Sequence, residues 1–306
     1  MSLAGLKYYL GKRGGWIDFL ISRHLLDWVP DEPFLKLKYR QSLGKPLDLE
    51  HPQTYNEKLQ WLKLHDRDPL YTRLVDKYEV RSIIADRLGP AYSVPLVGGP
   101  WNSPEEIDFD ALPDQFVLKC THDSGGLMIC RDKSALDREQ VRRKLSSSLA
   151  RNYYWSKREW PYKDVPPRII AEQYMQDGDT QNLNVYKILN FGGTPRIIQT
   201  IQNDKTKAET IDYFDTDWNL LDLRQGFPNS ENPLPRPKTL PDMLRAAALL
   251  SAGFPTLRTD FYEVNGRVYF SEITFYTDSG LCPFEPPSWD LLLGTWTRLP
   301  IDEEQP

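Results

Sequence analysis

The chain has 306 residues and a formal net charge of −5. This acidic balance argues against a nucleic-acid binder that relies on phosphate contacts, and no apolar run approaches the roughly 20 residues that a transmembrane helix needs. Charged residues such as Lys7, Lys12 and Asp18 interrupt the N-terminus, so no signal peptide is predicted. The three cysteines lack disulfide or zinc spacing, which is typical of reduced thiols and predicts a cytoplasmic protein.

The first predicted elements are helical. Residues 1–50 are expected to form short helices and a loop. An apolar stripe over residues 14–28 has helical spacing, which favours core packing; docking of residues 1–30 on a membrane surface or a partner is the alternative. The run Thr54-Tyr55-Asn56-Glu57 is a capping box and predicts the start of a helix. A further helix, predicted over residues 70–88, would carry Lys77 and end at a glycine–proline pair.

Strand patterns dominate the rest of the chain. The predicted elements, in order, are strands over 115–120 and 127–131, a polar helix over 137–152, strands over 168–174, 184–190 and 195–202, a helix over 242–253 and a hairpin over 258–275. Gly192-Gly193 is the predicted turn between two of these strands, and the proline-rich stretch 228–241 is a predicted loop.

The hairpin carries two carboxylates, Asp260 and Glu272, where carboxylates are depleted and costly to bury alone. A two-residue Asn265-Gly266 turn would place them on opposite faces. A three-residue loop, with the glycine as a left-handed bulge, would place both on one face with Arg258 and Thr274. We favour this second register, which would form a hard-cation site beside an arginine for an anion. An edge hairpin with its acids in water is the alternative.

Lys119 ends an apolar strand directly before a loop of small and polar residues, 121–126. Backbone amides in such a loop can cradle phosphate oxygens, because glycine permits close approach. The lysine precedes the loop and a second strand follows it, so this is not a Walker A motif. A glycine-rich hairpin lid over a nucleotide fits the pattern, and an ordinary surface hairpin is the alternative.

Two further segments are candidates for nucleotide contacts. After the strand over 168–174, the backbone at 173–175 would meet an adenine edge and Asp179 the ribose hydroxyls; a strand that ends in a turn is the alternative. Lys187, on a predicted strand, is interpreted as a phosphate contact or as an edge charge. No serine or cysteine has a recognisable base partner, which favours metal-assisted phosphoryl transfer over covalent catalysis.

Six segments, taken in order, carry a resemblance to a known family. They are Tyr55-Asn56-Glu57-Lys58-Leu59-Gln60-Trp61, Asp76-Lys77-Tyr78-Glu79-Val80-Arg81, the stretch from Phe116 to Gly126, Arg168-Ile169-Ile170-Ala171-Glu172, the stretch from Arg258 to Gly280, and Trp289-Asp290. Together they resemble the ATP-grasp fold and, more narrowly, the TupA-like ATP-grasp family of bacterial surface-polymer biosynthesis. The resemblance spans residues 35–295, nearly the whole chain.

The resemblance implies an α+β fold in which two α+β subdomains clasp ATP behind an N-terminal, mostly helical region. The expected regions are residues 1–112 (helical), 113–175 (lid subdomain) and 176–306 (metal-binding subdomain). It also implies ATP and Mg²⁺ as cofactors. The loop Thr277-Asp278-Ser279-Gly280 would lie where the acyl substrate is held.

The resemblance further implies a role for each candidate residue. The expected phosphate contacts are Lys77 and Lys119; the mobile lid includes His122, Ser124, Gly125 and Gly126; the adenine hinge is Glu172, Gln173, Tyr174 and Met175; and the ribose contact is Asp179. The expected catalytic residues, Lys187 and Arg258, would hold the transferring phosphoryl group. The expected metal ligands are Asp260, Glu272 and Thr274, the last standing where the fold usually has asparagine.

On this resemblance we expect a bacterial ATP-dependent carboxylate–amine ligase. A carboxylate would attack the γ-phosphate, and the acylphosphate would pass to an amine to give an amide, ADP and phosphate. The family context suggests a uronic acid or amino acid and an amino compound, free or glycan-linked, in capsule or surface-polysaccharide biosynthesis. The alternatives are a glycosyltransferase, whose metal motif would be Asp215-Thr216-Asp217, and a non-ligating ATP-binding or kinase-like protein.

Overall fold

Two antiparallel β-sheets organise the chain in a computed structural model, which describes residues 15–123, 125–178, 183–204 and 206–300. The helices are α1 (Gly15–Ser22), α2 (Asp31–Leu43), α3 (Tyr55–His65), α4 (Leu70–Val75), α5 (Val80–Leu88), α6 (Arg138–Leu149), α7 (Tyr154–Lys157), α8 (Leu240–Ser251) and α9 (Ser288–Trp296). The strands are β1 (Leu96–Trp101), β2 (Phe116–Cys120), β3 (Leu127–Cys130), β4 (Ile169–Gln173), β5 (Val185–Phe191), β6 (Thr194–Gln202), β7 (Thr210–Phe214), β8 (Thr256–Val264) and β9 (Arg267–Thr274).

Sheet 1 has the strand order β1-β4-β2-β3. Alternate side chains of its strands, such as Phe116 and Leu118, are buried on one face. They share a hydrophobic core with Val141 and Leu145, which lie four residues apart and therefore on one side of α6. The predicted strands over 115–120, 127–131 and 168–174 and the polar helix are thus confirmed, each with shifted ends.

Sheet 2 has the strand order β7-β6-β5-β8-β9. Helix α8 packs against β5, β6 and β8, and its apolar residues join the largest core of the described chain. Strand side chains alternate, so Lys187 and Asp260, which are cross-strand partners, point away from the face that carries Ile188 and Phe261. One face of the sheet is therefore core and the other carries charge.

Helix α3 begins at the predicted capping box. Thr54 accepts a hydrogen bond from the backbone N–H of Glu57, and Glu57 accepts one from the backbone N–H of Thr54. Unlike an amphipathic surface helix, α3 is buried on all sides from Tyr55 to Lys63. Its polar side chains are satisfied by distant parts of the chain, since Lys58 donates to the carbonyl of Thr297 at 2.8 Å.

The single helix predicted over residues 70–88 is wrong, because α4 and α5 are separated by a turn that contains Lys77. The carboxylate of Asp76 accepts hydrogen bonds from the N–H groups of Tyr78 and Glu79, which offers the backbone an alternative to the helix. The N–H of Lys77 donates to the carbonyl of Thr121 at 3.1 Å. The backbone of Lys77 is therefore hydrogen-bonded to the loop after β2, and Lys77 is not part of a helix.

Strands β1 and β7 and helix α9 were not predicted. Strand β1 contains Gly98, Gly99 and Pro100, residues that normally mark a turn, and its pairing with β4 has two register shifts. A side chain at Gly99 would lie 2.7 Å from the carbonyl oxygen of Ile169. Glycine is present because the two backbones approach closely.

The predicted stripe over residues 14–28 is only partly buried. Ile17 of α1 lies in the interior, whereas Trp16 and Leu25 are exposed and Trp28 is 80% exposed. Docking through residues 1–30 stays a prediction, and residues 1–14 lie outside the described part of the chain. Among the described residues, no helix has the length and apolar character needed to span a bilayer.

Candidate nucleotide and metal site

The hairpin of β8 and β9 has a two-residue turn, so the predicted three-residue loop is wrong. Val264 pairs with Arg267, and between them Asn265 and Gly266 have φ angles of 51° and 71°. A type I′ turn requires left-handed conformations at both central positions, and asparagine–glycine satisfies both. No bulge is needed at the turn itself.

A β-bulge further along β9 nevertheless places the two carboxylates side by side. Phe261 pairs with Phe270, whereas Asp260 pairs with Glu272, so Ser271 is the extra residue. One extra residue inverts the side-chain alternation of the strand beyond it. The shared face that we predicted is therefore present, and it arises from the bulge at Ser271.

Arg258 bridges the two carboxylates. Its Nε and Nη2 lie 2.8 and 2.9 Å from the two oxygens of Asp260, and Nη2 lies 3.1 Å from Oε1 of Glu272. On the neighbouring strand, Nζ of Lys187 lies 3.9 Å from Oδ2 of Asp260. Thr274 is the cross-strand partner of Arg258. Two cations, two carboxylates and a hydroxyl thus share one patch of sheet 2.

The two carboxylates differ in their electrostatic environment. Asp260 is 1% exposed, and burial raises its pKa although Arg258 acts in the opposite direction. The side chain of Glu272 is 40% exposed. Burial tends to raise the pKa of Glu272, but nearby cations lower it below its usual range: Arg258, Lys77, Lys187 and Lys119. Positive charge from both sheets and from the α4–α5 turn therefore converges on Glu272.

Lys119 and Glu172 form an ion pair on sheet 1. Nζ of Lys119 lies 2.5 Å from Oε2 of Glu172, and Arg81 donates to Oε1 at 3.2 Å. Burial disfavours the charged form of Lys119, yet the charges of Glu172, Tyr262 and Glu272 and the hydrogen bond to Glu172 together outweigh burial and raise the lysine pKa. Lys119 is therefore cationic at neutral pH and can bind an anion.

A cavity of about 350 Å³ brings together residues from both sheets and all four residues of the predicted adenine hinge. Its lining includes Lys119, Glu172, Gln173, Tyr174, Met175 and, from sheet 2, Tyr262. Ligand pockets of this size are usually apolar with a few polar groups. The lining combines apolar side chains such as Val117 and Leu127 with the cation Lys119, which suits a flat heteroaromatic ring attached to an anionic group.

The loop between β2 and β3 is fastened to the end of α6. Asp123 accepts hydrogen bonds from the Ser148 hydroxyl, from Arg151 at 3.2 Å and from the N–H of Gly126 at 3.2 Å. The buried ring of His122 faces the same helix end, with Nε2 3.3 and 3.1 Å from the carbonyl oxygens of Ser148 and Arg151. The structure therefore does not bring the side chain of His122 to the cavity.

Glycine is required at positions 125 and 126 for two different reasons. Gly125 has a φ of 109° and open space around it, so its backbone conformation requires glycine. A side chain at Gly126 would overlap Ser148 and Asp123, so packing requires glycine there. Nζ of Lys77 donates to the carbonyl of Asp123 at 2.6 Å, which places that cation at the loop. The predicted contact Ser124 lies outside the described residues.

The segment after β4 is tied to the tip of the β8–β9 hairpin. The N–H of Asn265 donates to Oδ1 of Asp177 at 3.0 Å, and the N–H of Gly178 donates to Oδ1 of Asn265 at 3.1 Å. These two reciprocal hydrogen bonds, which we call the hinge clip, fix the segment directly after the predicted adenine hinge to sheet 2. Asp179, the predicted ribose contact, lies outside the described residues.

The patch fits magnesium bound together with a nucleotide. Magnesium usually takes one or two carboxylates and completes its shell with water and substrate phosphates. Asp260 and Glu272 supply two carboxylates, and Thr274 adds a hydroxyl on the same face. The described residues contain no group of three or more His, Cys, Asp or Glu side chains that would form an all-protein cage.

The glycosyltransferase motif Asp215-Thr216-Asp217 has a structural role. Oδ1 of Asp215 accepts the N–H groups of Asp217 and Asn219 at 2.9 and 2.8 Å, in the turn after β7. The sequence analysis did not predict a role for Arg81, which donates to Glu172 and lies within a segment that carries the family resemblance. Asp123 belongs to the predicted lid, residues 122–126, and the structure shows that it anchors the β2–β3 loop.

One family accounts for most of the chain. The sequence profile described as TupA-like ATPgrasp matches residues 57–297. The chain belongs to the TupA-like ATP-grasp family. The predicted family and its α+β ATP-grasp fold are confirmed by this match, and the two sheets with their helices are the fold's α+β elements.

No curated protein sequence matches this ATP-grasp chain significantly. Among solved structures, it resembles D-alanine–D-alanine ligase from Helicobacter pylori (14% identity, 80% of this chain and 69% of that chain covered, TM-score 0.43). It also resembles the D-alanine–D-alanine ligase from Bacillus anthracis (16%, 87% and 75%, TM-score 0.41). A third is N5-carboxyaminoimidazole ribonucleotide synthetase from Thermus thermophilus (12%, 74% and 53%, TM-score 0.39). These likenesses are weak, and the family match carries the assignment.

Proposed function

We propose that the chain is an ATP-dependent carboxylate–amine ligase that works through an acylphosphate in bacterial capsule or surface-polysaccharide biosynthesis. The observation that carries this proposal is the bulge at Ser271, which sets Asp260 and Glu272 side by side beneath Arg258. Such a patch neutralises and orients phosphates, and family membership supports ATP as their source. The acid would be a uronic acid or an amino acid, and the nucleophile an amino compound.

The nucleotide would occupy the cavity between the sheets. Its base would lie against the hinge at residues 172–175, and its phosphates would extend toward Lys119 and Lys77. Asp260 and Glu272, with Thr274, would hold Mg²⁺, which supplies charge neutralisation on the β- and γ-phosphates. The ribose contact by Asp179 and the lid contact by Ser124 stay predictions.

Arg258 and Lys187 would bind the oxygens of the transferring phosphoryl group. Arg258 is oriented by three hydrogen bonds before any substrate arrives, so little reorganisation is needed during the reaction. The substrate carboxylate would attack the γ-phosphorus as ADP leaves. The amine would then attack the acyl carbon, lose a proton and displace phosphate, and a closed site would keep water from the acylphosphate.

The test is ADP release with ATP and magnesium against uronic acids and amino acids, singly and in pairs, with products identified by mass. A ligase requires an acid and an amine together and gives a product lighter than their sum by one water. Glu272→Gln should reduce turnover by a factor of about 100 or more, because it removes one carboxylate of the patch.

The matched control is Glu139→Gln, since Glu139 is an exposed residue of α6 that pairs with Arg142 of the same helix. This variant should keep full activity. ADP release that needs an acid but no amine, with a phosphorylated product, would replace the ligase with a kinase. Full turnover in Glu272→Gln would refute the metal assignment.

A further inference from the structure

Another cavity, of about 340 Å³, lies beside the β2–β3 loop, and we call it the lid cavity. Three parts of the chain form its walls: the end of α1 with the turn after it, the loop residue Asp123, and residues 151–156, which include the start of α7. It shares no lining residue with the cavity that contains the adenine hinge. Pockets for small ligands begin at about 300 Å³, so the lid cavity can hold one small ligand.

Two aromatic rings line the lid cavity, and other side chains hold both in place. Trp155 is half-buried, and the buried guanidinium of Arg158 lies 4.7 Å from the centre of its ring. Arg158 is in turn fixed by hydrogen bonds to two backbone carbonyls, at 3.0 and 3.1 Å. The ring of Tyr153 packs edge-on against that of Tyr162, with 5.0 Å between their centres. Rings fixed in this way offer a ligand a rigid apolar surface at little cost in side-chain entropy.

Arg151 adds a cation whose donors are only partly used. Its Nη2 donates to Oδ2 of Asp123 at 3.2 Å and to the hydroxyl of Ser148 at 3.1 Å. Both contacts use the same nitrogen, and within the described chain neither Nε nor Nη1 of this side chain makes a hydrogen bond. The Arg151 side chain is 60% exposed. A guanidinium has N–H donors on all three nitrogens, so those on Nε and Nη1 remain for a ligand.

Positive charge exceeds negative charge around Asp123. Nζ of Lys77 lies 2.6 Å from the carbonyl oxygen of Asp123, and Arg151 pairs with its carboxylate. The histidine of the lining, His24, is already paired with Asp27, with 2.9 Å between Nδ1 and Oδ2. Two cations therefore face one carboxylate at the lid cavity, which favours a ligand with a negative charge.

We propose that the lid cavity binds an anionic saccharide residue, with its carboxylate on Arg151 and its ring against Tyr153 and Trp155; this rests on the proposed function. A sugar ring has an apolar face of C–H groups, which packs against aromatic rings, and hydroxyls that need polar partners. Ser22 and Ser156 lie in the lining and provide such partners. A uronic acid residue combines this ring with the negative charge that the cavity favours.

The lid cavity adjoins the proposed reaction centre but is separate from it. Arg151 contacts the β2–β3 loop, and Glu159, further along the same segment, accepts a hydrogen bond from the hydroxyl of Ser279 at 2.6 Å. The segment therefore runs from the lid loop to the turn directly after the metal-binding strand β9. The carboxylate that reacts would lie at Arg258, so the saccharide in the lid cavity is a neighbouring residue of the same glycan. The acid substrate is then glycan-linked and not free.

The test measures binding of D-glucuronate to the full chain with Mg²⁺ and ADP, by saturation-transfer NMR titration. D-Glucose, which has a hydroxymethyl group in place of the carboxylate, is the neutral comparison. The native chain should bind glucuronate more tightly than glucose. Arg151→Gln should raise the dissociation constant of glucuronate by about tenfold and leave that of glucose unchanged, because only the charged contact is lost. Asp123 keeps its contacts with Ser148 and Gly126 in this variant, so the loop should persist.

A second variant and two controls separate recognition from structure. Tyr153→Leu removes a ring without touching the contacts of Arg151, and it should weaken the binding of both sugars by about threefold. ADP affinity should be unchanged in both variants. The matched control is Arg143→Gln, which removes the same charge from an exposed position of α6 outside the lid cavity and should leave both sugar affinities unchanged.

Three results would overturn the saccharide site. The first is a native chain that does not bind glucuronate or binds it no better than glucose. The second is a preference for glucuronate that survives in Arg151→Gln. The third is an unchanged affinity for both sugars in Tyr153→Leu.

Failure of the proposed function gives a different result. Glucuronate binding that depends on Arg151, with no ADP release for any acid and amine pair, would support the saccharide site and reject the ligase. ADP release with a glycan-linked uronic acid and an amine, but with the same KM for the acid in Arg151→Gln as in the native chain, would reject the saccharide site and leave the ligase standing.

Discussion

Lys63→Met is expected to destabilise the chain strongly, because Lys63 balances a buried carboxylate. Its Nζ donates to the carbonyl and hydroxyl oxygens of Ser279 at 2.8 and 3.0 Å, to Gln60 at 3.1 Å and to the carbonyl of Lys157 at 3.1 Å. The Ser279 hydroxyl in turn donates to Glu159 at 2.6 Å. Lys63 and Glu159 are 1% and 4% exposed. Methionine fills the same space but removes the cation that contributes most to stabilising the charge of Glu159.

The size of the effect follows from this burial. Removing one partner of a buried charged pair costs about 3–5 kcal/mol in the free energy of unfolding. For a chain of this order of size, each kcal/mol lowers Tm by about 2–4 °C, so Tm should fall by about 6–20 °C. The double variant Lys63→Met, Glu159→Gln removes both charges. It should be more stable than Lys63→Met alone by about 1–3 kcal/mol.

Urea unfolding followed by tryptophan fluorescence measures these differences, since the chain has nine tryptophans. The control is Lys36→Met, because Lys36 is an exposed residue of α2 whose pairing with Glu32 is a surface contact. The reasoning fails if Lys63→Met loses less than about 1 kcal/mol. It also fails if the double variant loses the sum of the two single losses, because that sum would show no coupling through Ser279.

Three further outcomes are expected. Gly294→Ala should lower stability by about 1–3 kcal/mol in urea unfolding, because the added methyl would overlap the carbonyl of Gln53; an unchanged midpoint would contradict the close helix packing. Lys119→Met should weaken ATP binding about tenfold in equilibrium dialysis by removing a charge-assisted contact, and equal affinity would place the phosphates elsewhere. Burial raises the pKa of Cys120 and of Cys282 to about 11. Iodoacetamide should therefore alkylate both slowly near neutral pH and faster as pH rises toward 11, whereas the unfolded chain should react at lower pH; fast neutral alkylation would refute the burial. The same raised pKa values make the thiol contribution to stability complete below about pH 9, the usual thiol value, and lost as pH rises through 11.

Local chemistry predicted the hairpin but not its register. The turn residues Asn265 and Gly266 have an unambiguous two-residue signature, and the chemical need for paired carboxylates indicated that Asp260 and Glu272 share a face. A two-residue turn and a shared face require one extra residue elsewhere in the hairpin, whereas we predicted the extra residue in the turn. The bulge at Ser271 reconciles them, and a serine within a strand carries no bulge signature because tertiary packing selects the site.

Long-range contacts account for the other failures. The turn at Lys77 has neither glycine nor proline, and it forms because Asp76 is anchored by Arg168 at 2.6 Å while the backbone of Lys77 bonds to Thr121. In α3, an apolar pattern predicted the helix correctly but could not show that Gln60 binds residues more than 200 positions later in the chain. Both segments carry the family resemblance, but the resemblance does not show which contacts they make.

The hinge clip changes the mechanics of the connection between the two sheets. Strand β4 ends at Gln173 and β5 begins at Val185, but the clip at Asp177 joins this connection to the hairpin tip well before β5. Only residues 174–176 then lie between sheet 1 and a fixed point on sheet 2. Rotation that separates the sheets would pivot on this stretch and on residues 94–95, which join Ser93, bridged to Phe270 of β9, to strand β1. The first stretch includes Tyr174 and Met175, which line the cavity. A ligand bound in the cavity would therefore contact these residues directly. Separation of the two sheets would then be coupled to release of that ligand.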